Sequence, residues 1–123
     1  MLQKQESDII KQNYIGRRVV TSILKSVKLS FKDICDAVKP IAEKYFISEV
    51  YLFGSYARGE ADESSDVDLF VIGGTLFKLT NIFAFAEELR IALQKEVDAF
   101  ELHEINQDSE FYKSIMEDMV RVA

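Results

Sequence analysis

The sequence has little cysteine and histidine, the residues that stabilise folds through disulfides or bound metal ions. Its 123 residues include one cysteine, Cys35, and one histidine, His103. A single cysteine excludes an internal disulfide and any metal site made of several cysteines. No apolar run approaches the roughly 18–20 residues that a membrane span needs. The first residues also lack a signal peptide's basic start, apolar stretch and small-residue cleavage site. We therefore expect a cytoplasmic protein with no membrane association.

Positive charge is scarce outside the N-terminal segment. The net charge is −6. Residues 1–30 contain six Lys or Arg against two acidic residues, whereas residues 31–123 contain nine against nineteen. Affinity for a nucleic acid depends largely on the neutralisation of phosphates by Lys and Arg. The acidic body therefore argues against stable nucleic-acid binding and favours a cation or a basic partner as the ligand.

Hydrophobic periodicity divides the chain into an extension, residues 1–30, and one domain, residues 31–123. Apolar residues at near-helical spacing over residues 3–28 predict an N-terminal helix that packs on the body or on a second copy. In the domain, the patterns predict helices over 31–45, near Tyr56, over 77–94 and over 109–120, and strands over 49–53, 66–72 and 96–102. This order predicts an α/β fold with a short sheet flanked by helices.

Local signals refine these helices. Ser30 is an expected N-cap, with Asp33 three residues later, and Pro40 is expected to kink the helix that follows. In the helix over 77–94, six residues are core candidates: Phe83, Phe85, Ala86, Leu89, Ala92 and Leu93. Cys35 is expected to be a small buried apolar residue.

Two aspartates lie at the start of the second predicted strand. Asp66 and Asp68 are two residues apart, so their carboxylates project from the same face of a strand. Unpaired, they repel each other, and one pKa is expected to rise. A bound Mg²⁺ reverses this cost, because Mg²⁺ is commonly held by one or two carboxylates together with substrate phosphates. The alternative is that the two aspartates are solvated charges that protect an edge strand from aggregation.

The first predicted strand ends in Gly54 and Ser55. Glycine permits close backbone approach, and Ser55 can cap a short helix that begins near Tyr56. The N-terminus of a helix offers free N–H groups to a phosphate, and Arg58 lies one turn along. Gly54 and Ser55 can instead be only a turn and a cap, and Arg58 can instead pair with Glu60 or Asp62.

These residues resemble a known signature. Gly54-Ser55, ten residues, then Asp66-Val67-Asp68-Leu69 is similar to the motif of the DNA polymerase β-like nucleotidyltransferases. With Arg58 and Ser65 in register, the string resembles the minimal nucleotidyltransferases of that superfamily. The resemblance covers residues 31–121. It implies a third carboxylate on the next strand, which Asp98 supplies, with Glu96 and Glu101 as substitutes.

The resemblance implies a nucleotidyltransferase fold and the transfer of AMP from ATP to a hydroxyl, with two Mg²⁺ ions. Asp66, Asp68 and Asp98 would be catalytic and bind the metal. Gly54, Ser55, Arg58 and Ser65 would contact the nucleotide. Minimal members resemble antitoxins that modify a tyrosine of a HEPN toxin, so a HEPN protein is the expected partner. Residues 1–30 depart from the leanest family pattern and would form a dimer or partner contact.

Two other functions are compatible with the motif. The first is a non-catalytic antitoxin that acts by occlusion alone, although a pure binding module has no need for three carboxylates. The second is a small-molecule nucleotidyltransferase of the aminoglycoside-modifying type. Such enzymes carry an additional helical substrate domain, for which this chain has little room.

Overall fold

The computed structural model describes residues 27–123. The helix expected over residues 3–28 therefore lies almost wholly outside the described residues. The elements, in chain order, are α1 (Phe31–Lys44), β1 (Ile47–Phe53), α2 (Gly54–Arg58), β2 (Val67–Gly73), α3 (Asn81–Leu93), β3 (Val97–Glu101), a 3₁₀ turn (Leu102–Glu104), α4 (Glu110–Asp118) and β4 (Val120–Arg121). The expected α/β fold with a short sheet and flanking helices is confirmed.

The four strands form one mixed sheet in the order β3-β2-β1-β4. β1 is antiparallel to β2 and to β4, whereas β2 and β3 are parallel. Parallel neighbours need a crossover connection, and α3 provides it. Because β1 runs opposite to β2, the end of β1 and the beginnings of β2 and β3 meet at the same edge of the sheet.

Helix α1 begins as its sequence predicts. The Ser30 hydroxyl accepts a hydrogen bond from the Asp33 N–H at 3.0 Å, and the Asp33 carboxylate accepts one from the Ser30 N–H at 2.9 Å. This reciprocal pair satisfies two N–H groups that the first turn leaves free. Pro40 lies inside the helix on its exposed side, and the helix continues past it to Lys44. Water can solvate the carbonyl that a proline leaves without a donor.

The two faces of the sheet are covered differently. Helices α1 and α3 pack on one face and enclose the main core, whose fully buried side chains include Ile34, Val38, Val50, Leu69, Phe85, Leu89 and Val97. Cys35 is partly buried against this core. On the other face, α4 places Ile115 against Phe53 and Phe70 in a smaller cluster. This second face is more open and carries the polar residues of the motif.

Helix α3 is shorter than its sequence suggests. It begins at Asn81 rather than at residue 77, because Phe77 folds back against Gly73 in a turn and the Asn81 amide donates to the Tyr45 carbonyl at 3.0 Å. Phe85 is buried as expected, but Phe83 is 72% exposed. Ala92 is exposed too, so the prediction that these two belong to the core was wrong.

The C-terminal end also differs from the prediction. Helix α4 ends at Asp118, and after Met119 the residues Val120 and Arg121 form β4 against Tyr51 and Leu52 of β1. The strand is only two residues long, too short for a period-2 pattern to reveal it. In residues 27–123, no helix has the length and apolarity needed to cross a membrane.

Candidate active site

Strand register brings the predicted carboxylates to one edge of the sheet. Asp68 on β2 is the direct partner of Asp98 on β3, and on its other side it is the partner of Phe53 at the end of β1. Side chains directly opposite each other on neighbouring strands point to the same face. Asp66 lies just before β2 begins, two residues from Asp68, so all three aspartates that the motif implicated gather at this edge.

Burial and the neighbouring carboxylates determine the pKa of two aspartates in this group. Burial, the Asp98 carboxylate and the Asp66 carboxylate together raise the pKa of Asp68 to about 6. Burial, Asp98 and Glu96 also raise the pKa of Asp66. Burial is the first cause of both shifts, and neighbouring negative charges disfavour ionisation further, so the repulsion expected from the sequence contributes to the raised pKa of Asp66 and of Asp68.

Gly54 lies directly against the Asp68 carboxylate. A β-carbon placed on Gly54 would stand 2.5 Å from Asp68 Oδ2, and the backbone has a φ of +76°. L-residues with a side chain rarely adopt this left-handed conformation. Both the contact and the backbone angle therefore require glycine here, which is a more specific role than a turn alone.

Helix α2 follows immediately and carries the next two motif residues. It begins at Gly54 with Phe53 as its N-cap, so Ser55 lies inside the first turn and the expectation that it caps the helix was wrong. Arg58 donates from Nε to Glu60 Oε1 at 2.9 Å and from Nη1 to Asp118 Oδ2 at 2.8 Å. Its positive charge opposes the rise in the pKa of Asp68 without cancelling it. Arg58 thus lies beside the carboxylates while tying α2 to α4.

The loop before β2 is ordered by hydrogen bonds to Asp62. Asp62 Oδ1 accepts hydrogen bonds from the Ser64 N–H at 2.8 Å and from the Ser64 hydroxyl at 2.7 Å. The Asp62 N–H donates to the Ser65 hydroxyl at 2.8 Å. Such side-chain bonds to nearby backbone groups are typical of Asp and Ser in turns. Ser65 is thereby held within the loop that delivers Asp66.

A buried lysine supports the same loop and was missed from the sequence. Lys95 is only 3% exposed, and its ammonium donates to the Glu63 carbonyl. Its positive charge opposes the rise in the pKa of Asp66 without cancelling it. A buried ammonium is costly without compensation, so its position beneath an acidic loop indicates a role there. No motif in the sequence marks this residue.

The two substitutes considered for the third carboxylate have other contacts. Glu96 accepts a hydrogen bond from Arg90 at 3.0 Å. Glu101 is buried and accepts from the His103 N–H at 2.7 Å, with its other oxygen 3.0 Å from His103 Nδ1. Asp98 is exposed at the same edge as Asp68, so it is the better candidate of the three.

The donor chemistry of this edge suits a hard divalent cation. Carboxylate oxygens are the preferred ligands of Mg²⁺, which usually keeps several waters and needs only one or two carboxylates plus substrate phosphates. Within residues 27–123, no three acidic, histidine or cysteine side chains are already arranged as a finished metal site.

Comparisons with known proteins identify a family model that matches most of this chain. The family model described as polymerase beta, nucleotidyltransferase matches residues 36–122. A Methanocaldococcus jannaschii protein named as a protein adenylyltransferase is 33% identical over 78 residues, which cover 63% of this chain and 84% of that protein.

Two crystal structures share the fold. A toxin–antitoxin structure with AMP-PNP has a TM-score of 0.60 and 21% identity and covers 77% of this chain and 73% of that one. The MNT antitoxin in complex with a tri-AMPylated HEPN toxin of Shewanella oneidensis has a TM-score of 0.58 and 17% identity and covers 76% and 71%. This chain belongs to the polymerase beta nucleotidyltransferase family, whose model matches most of its length.

Proposed function

We propose that this protein transfers AMP from ATP to a hydroxyl group, a tyrosine, of a HEPN-type partner protein, and that it is the antitoxin of that pair. The observation that carries the proposal is the strand register that sets Asp68 beside Asp98, with Asp66 two residues away and Gly54 packed against Asp68. A group of repelling carboxylates is costly on its own. It is useful to a protein that binds a Mg²⁺–nucleotide complex.

In the proposed reaction, the acceptor oxygen attacks the α-phosphorus of ATP. The new bond is between that oxygen and the α-phosphorus, the bond between the α-phosphorus and the bridging oxygen breaks, and pyrophosphate leaves. Bound Mg²⁺ would supply charge neutralisation on the phosphates and activation of the attacking oxygen. Asp66, Asp68 and Asp98 would hold two such ions, and Asp98 would also accept the hydroxyl proton.

The other motif residues would serve the nucleotide. Gly54 and Ser55 form the first turn of α2, where their backbone N–H groups would bind a phosphate of the nucleotide. Arg58 lies beside Asp68 and would exchange one of its acidic partners, Glu60 or Asp118, for a phosphate oxygen. Ser65 would act through the loop that it stabilises, or by direct contact with the nucleotide.

The comparisons support the substrate and the partner. The M. jannaschii relative is named for protein adenylyltransfer. The two structures of similar fold are toxin–antitoxin assemblies, one with an ATP analogue and one with an AMPylated HEPN toxin. We extend these properties to this chain because its motif and carboxylate edge match the chemistry that they require.

The test is a mass measurement on the protein and its presumed target together. The protein would be mixed with the product of the neighbouring gene, Mg²⁺ and each NTP in turn, and intact masses recorded. We expect the partner to gain one or more AMP units with ATP. The gain should disappear with EDTA and in an Asp66→Asn, Asp68→Asn variant.

The same samples separate the alternatives. A stable complex that silences the partner with no mass gain would overturn adenylyltransfer and favour control by occlusion. A mass gain with another NTP would keep the enzyme but change its nucleotide. The control is Asp36→Asn, an exposed aspartate on α1 that pairs with Lys32 far from the motif, and it should leave the mass gain unchanged.

A further inference from the structure

The open face of the sheet carries an aromatic cluster next to the carboxylates. Tyr51 and Phe70 stack with their ring centroids 4.9 Å apart, and Phe53 lies 6.2 Å from Phe70. Phe111 of α4 packs edge-on against Phe53 at 5.7 Å and against Phe100 of β3 at 5.5 Å. The five rings form one continuous group.

Strand register places this group one step from the site. Along the open face, the row that contains Asp68 and Asp98 is followed by the row that contains Phe70 and Phe100. Residues two apart on a strand share a face and are separated by about 7 Å. Phe100 therefore neighbours Asp98 on the same face of β3. Phe111 contacts both rows, because it packs against Phe53, which lies opposite Asp68, and against Phe100.

The outer rings of the group are unusually accessible. Phe53 and Phe70 are buried, but Phe100 is 38% exposed and Phe111 is 42% exposed. Apolar surface in contact with water costs free energy in proportion to its area. An edge-to-face pair also leaves ring surface available for a further aromatic contact. The exposed rings border the edge at which a nucleotide would bind.

We propose that Phe100 and Phe111 form the binding site for the nucleobase of the substrate, by aromatic stacking; this rests on the proposed nucleotidyltransferase function. In a nucleoside triphosphate, only the ribose separates the base from the α-phosphate. A nucleotide whose phosphates bind at the carboxylates therefore has its base close to Phe100 and Phe111. The acceptor brings a ring only if its hydroxyl belongs to a tyrosine. The base is the ring that every nucleotide substrate supplies.

This site would bind bases without selecting among them. Stacking on an aromatic side chain tolerates any base, because every base has a π-face. The two phenylalanine side chains offer no hydrogen-bond donor or acceptor. Removal of either ring should therefore weaken the binding of ATP and of GTP by similar factors. Selectivity for one base must come from other groups.

The experiment compares two ligands that differ in the base. AMP-PNP and inorganic tripolyphosphate, each with Mg²⁺, would be titrated calorimetrically into the wild type, Phe100→Leu and Phe111→Leu. We expect AMP-PNP affinity to fall about tenfold in each variant, and tripolyphosphate affinity to stay within about twofold. Tyr substitutions at the same positions keep a ring and should restore AMP-PNP binding, which excludes simple misfolding. Phe46→Leu is the matched control, because Phe46 is 50% exposed and lies at the opposite end of β1 from Phe53; it should bind both ligands as the wild type does.

The outcomes distinguish this inference from the proposed function. Unchanged AMP-PNP affinity in both Leu variants would overturn the base site. An equal loss of affinity for AMP-PNP and for tripolyphosphate would overturn it too. Unchanged AMP-PNP affinity with a raised KM for the partner protein would assign the rings to the acceptor instead. If the wild type binds AMP-PNP but modifies no partner, the base site stands and the proposed function fails. If it binds neither ligand, both are wrong.

Discussion

Gly54 and Asp68 are in such close contact that the site has no space for a β-carbon at position 54. That β-carbon would lie 2.5 Å from Asp68 Oδ2. The two residues are fourteen positions apart in sequence and meet because β1 and β2 are antiparallel, with Phe53 opposite Asp68. The glycine therefore determines where the most buried carboxylate of the site can point.

We predict that Gly54→Ala reduces activity much more than stability. Gly59 offers a matched control, because its φ is +75° but no atom lies within 4 Å of the position where a β-carbon would be. Both substitutions should cost about 1–2 kcal/mol of unfolding free energy from left-handed backbone strain. Only Gly54→Ala should also lower AMP transfer, by roughly tenfold or more, since it displaces Asp68. Equal activity of the two variants in a transfer assay would contradict this role of the contact.

The raised pKa of Asp68 predicts a pH-dependent stability change in the metal-free protein. Its pKa is about 6 in the folded state against an ordinary value of 3.8 for an aspartate, so between these values the folded state binds more protons than the unfolded state. The unfolding free energy that this group contributes therefore falls as pH rises through about 6. Asp68→Asn removes the charge, and solvent screening reduces the expected gain to about 1–2 kcal/mol at pH 7.5.

Thermal unfolding in EDTA at pH 4.5 and pH 7.5 would measure this effect. The Asn variant should melt a few degrees above the wild type at pH 7.5, with a smaller difference at pH 4.5. Asp36→Asn is the exposed control and should show no such dependence. A variant that melts lower than the wild type at pH 7.5 would mean that Asp68 makes a stabilising contact that outweighs the repulsion.

Lys95 is predicted to position the loop that carries Asp66. Replacement by Met removes the donor to the Glu63 carbonyl but keeps an unbranched apolar chain. Because a buried charge is also removed, stability should change by only about 1 kcal/mol. Mispositioning of a metal-binding carboxylate should reduce metal affinity about tenfold to a hundredfold. The signature is a raised Mg²⁺ concentration at half-maximal rate, with partial recovery at saturating Mg²⁺. An unchanged Mg²⁺ dependence would reduce Lys95 to a packing role.

Arg58 is predicted to contribute to nucleotide binding and little to stability. Its ion pairs with Glu60 and Asp118 are partly solvent-exposed, and such pairs contribute about 0–1 kcal/mol. Arg58→Ala should therefore keep the unfolding free energy within about 1 kcal/mol and weaken Mg²⁺–AMP-PNP binding by about tenfold. Arg121, an exposed arginine on β4, is the control. Equal AMP-PNP affinity of the Arg58 and Arg121 variants would show that Arg58 is only a structural link between α2 and α4.

Local patterns were sufficient for several parts of the fold. The capping pair of Ser30 and Asp33, the apolar spacing of α1 and the apolar run of β2 each involve residues a few positions apart, so they are readable in a linear sequence. Phe83 was misassigned for the opposite reason. Helical spacing shows that a helix has an apolar face, but the packing of α3 on the sheet decides which members of that face are covered.

The sequence by itself determined the chemistry of this protein: a Gly-Ser turn, an arginine and three aspartates at spacings that match a nucleotidyltransferase motif. These are properties of residue type and separation, which a chain carries before it folds. Only the tertiary structure decided how they are arranged, because strand register is a contact between distant segments. It pairs Asp68 with Asp98, packs Gly54 on Asp68, places buried Lys95 beneath the loop of Asp66, and leaves Phe100 and Phe111 exposed beside the carboxylates.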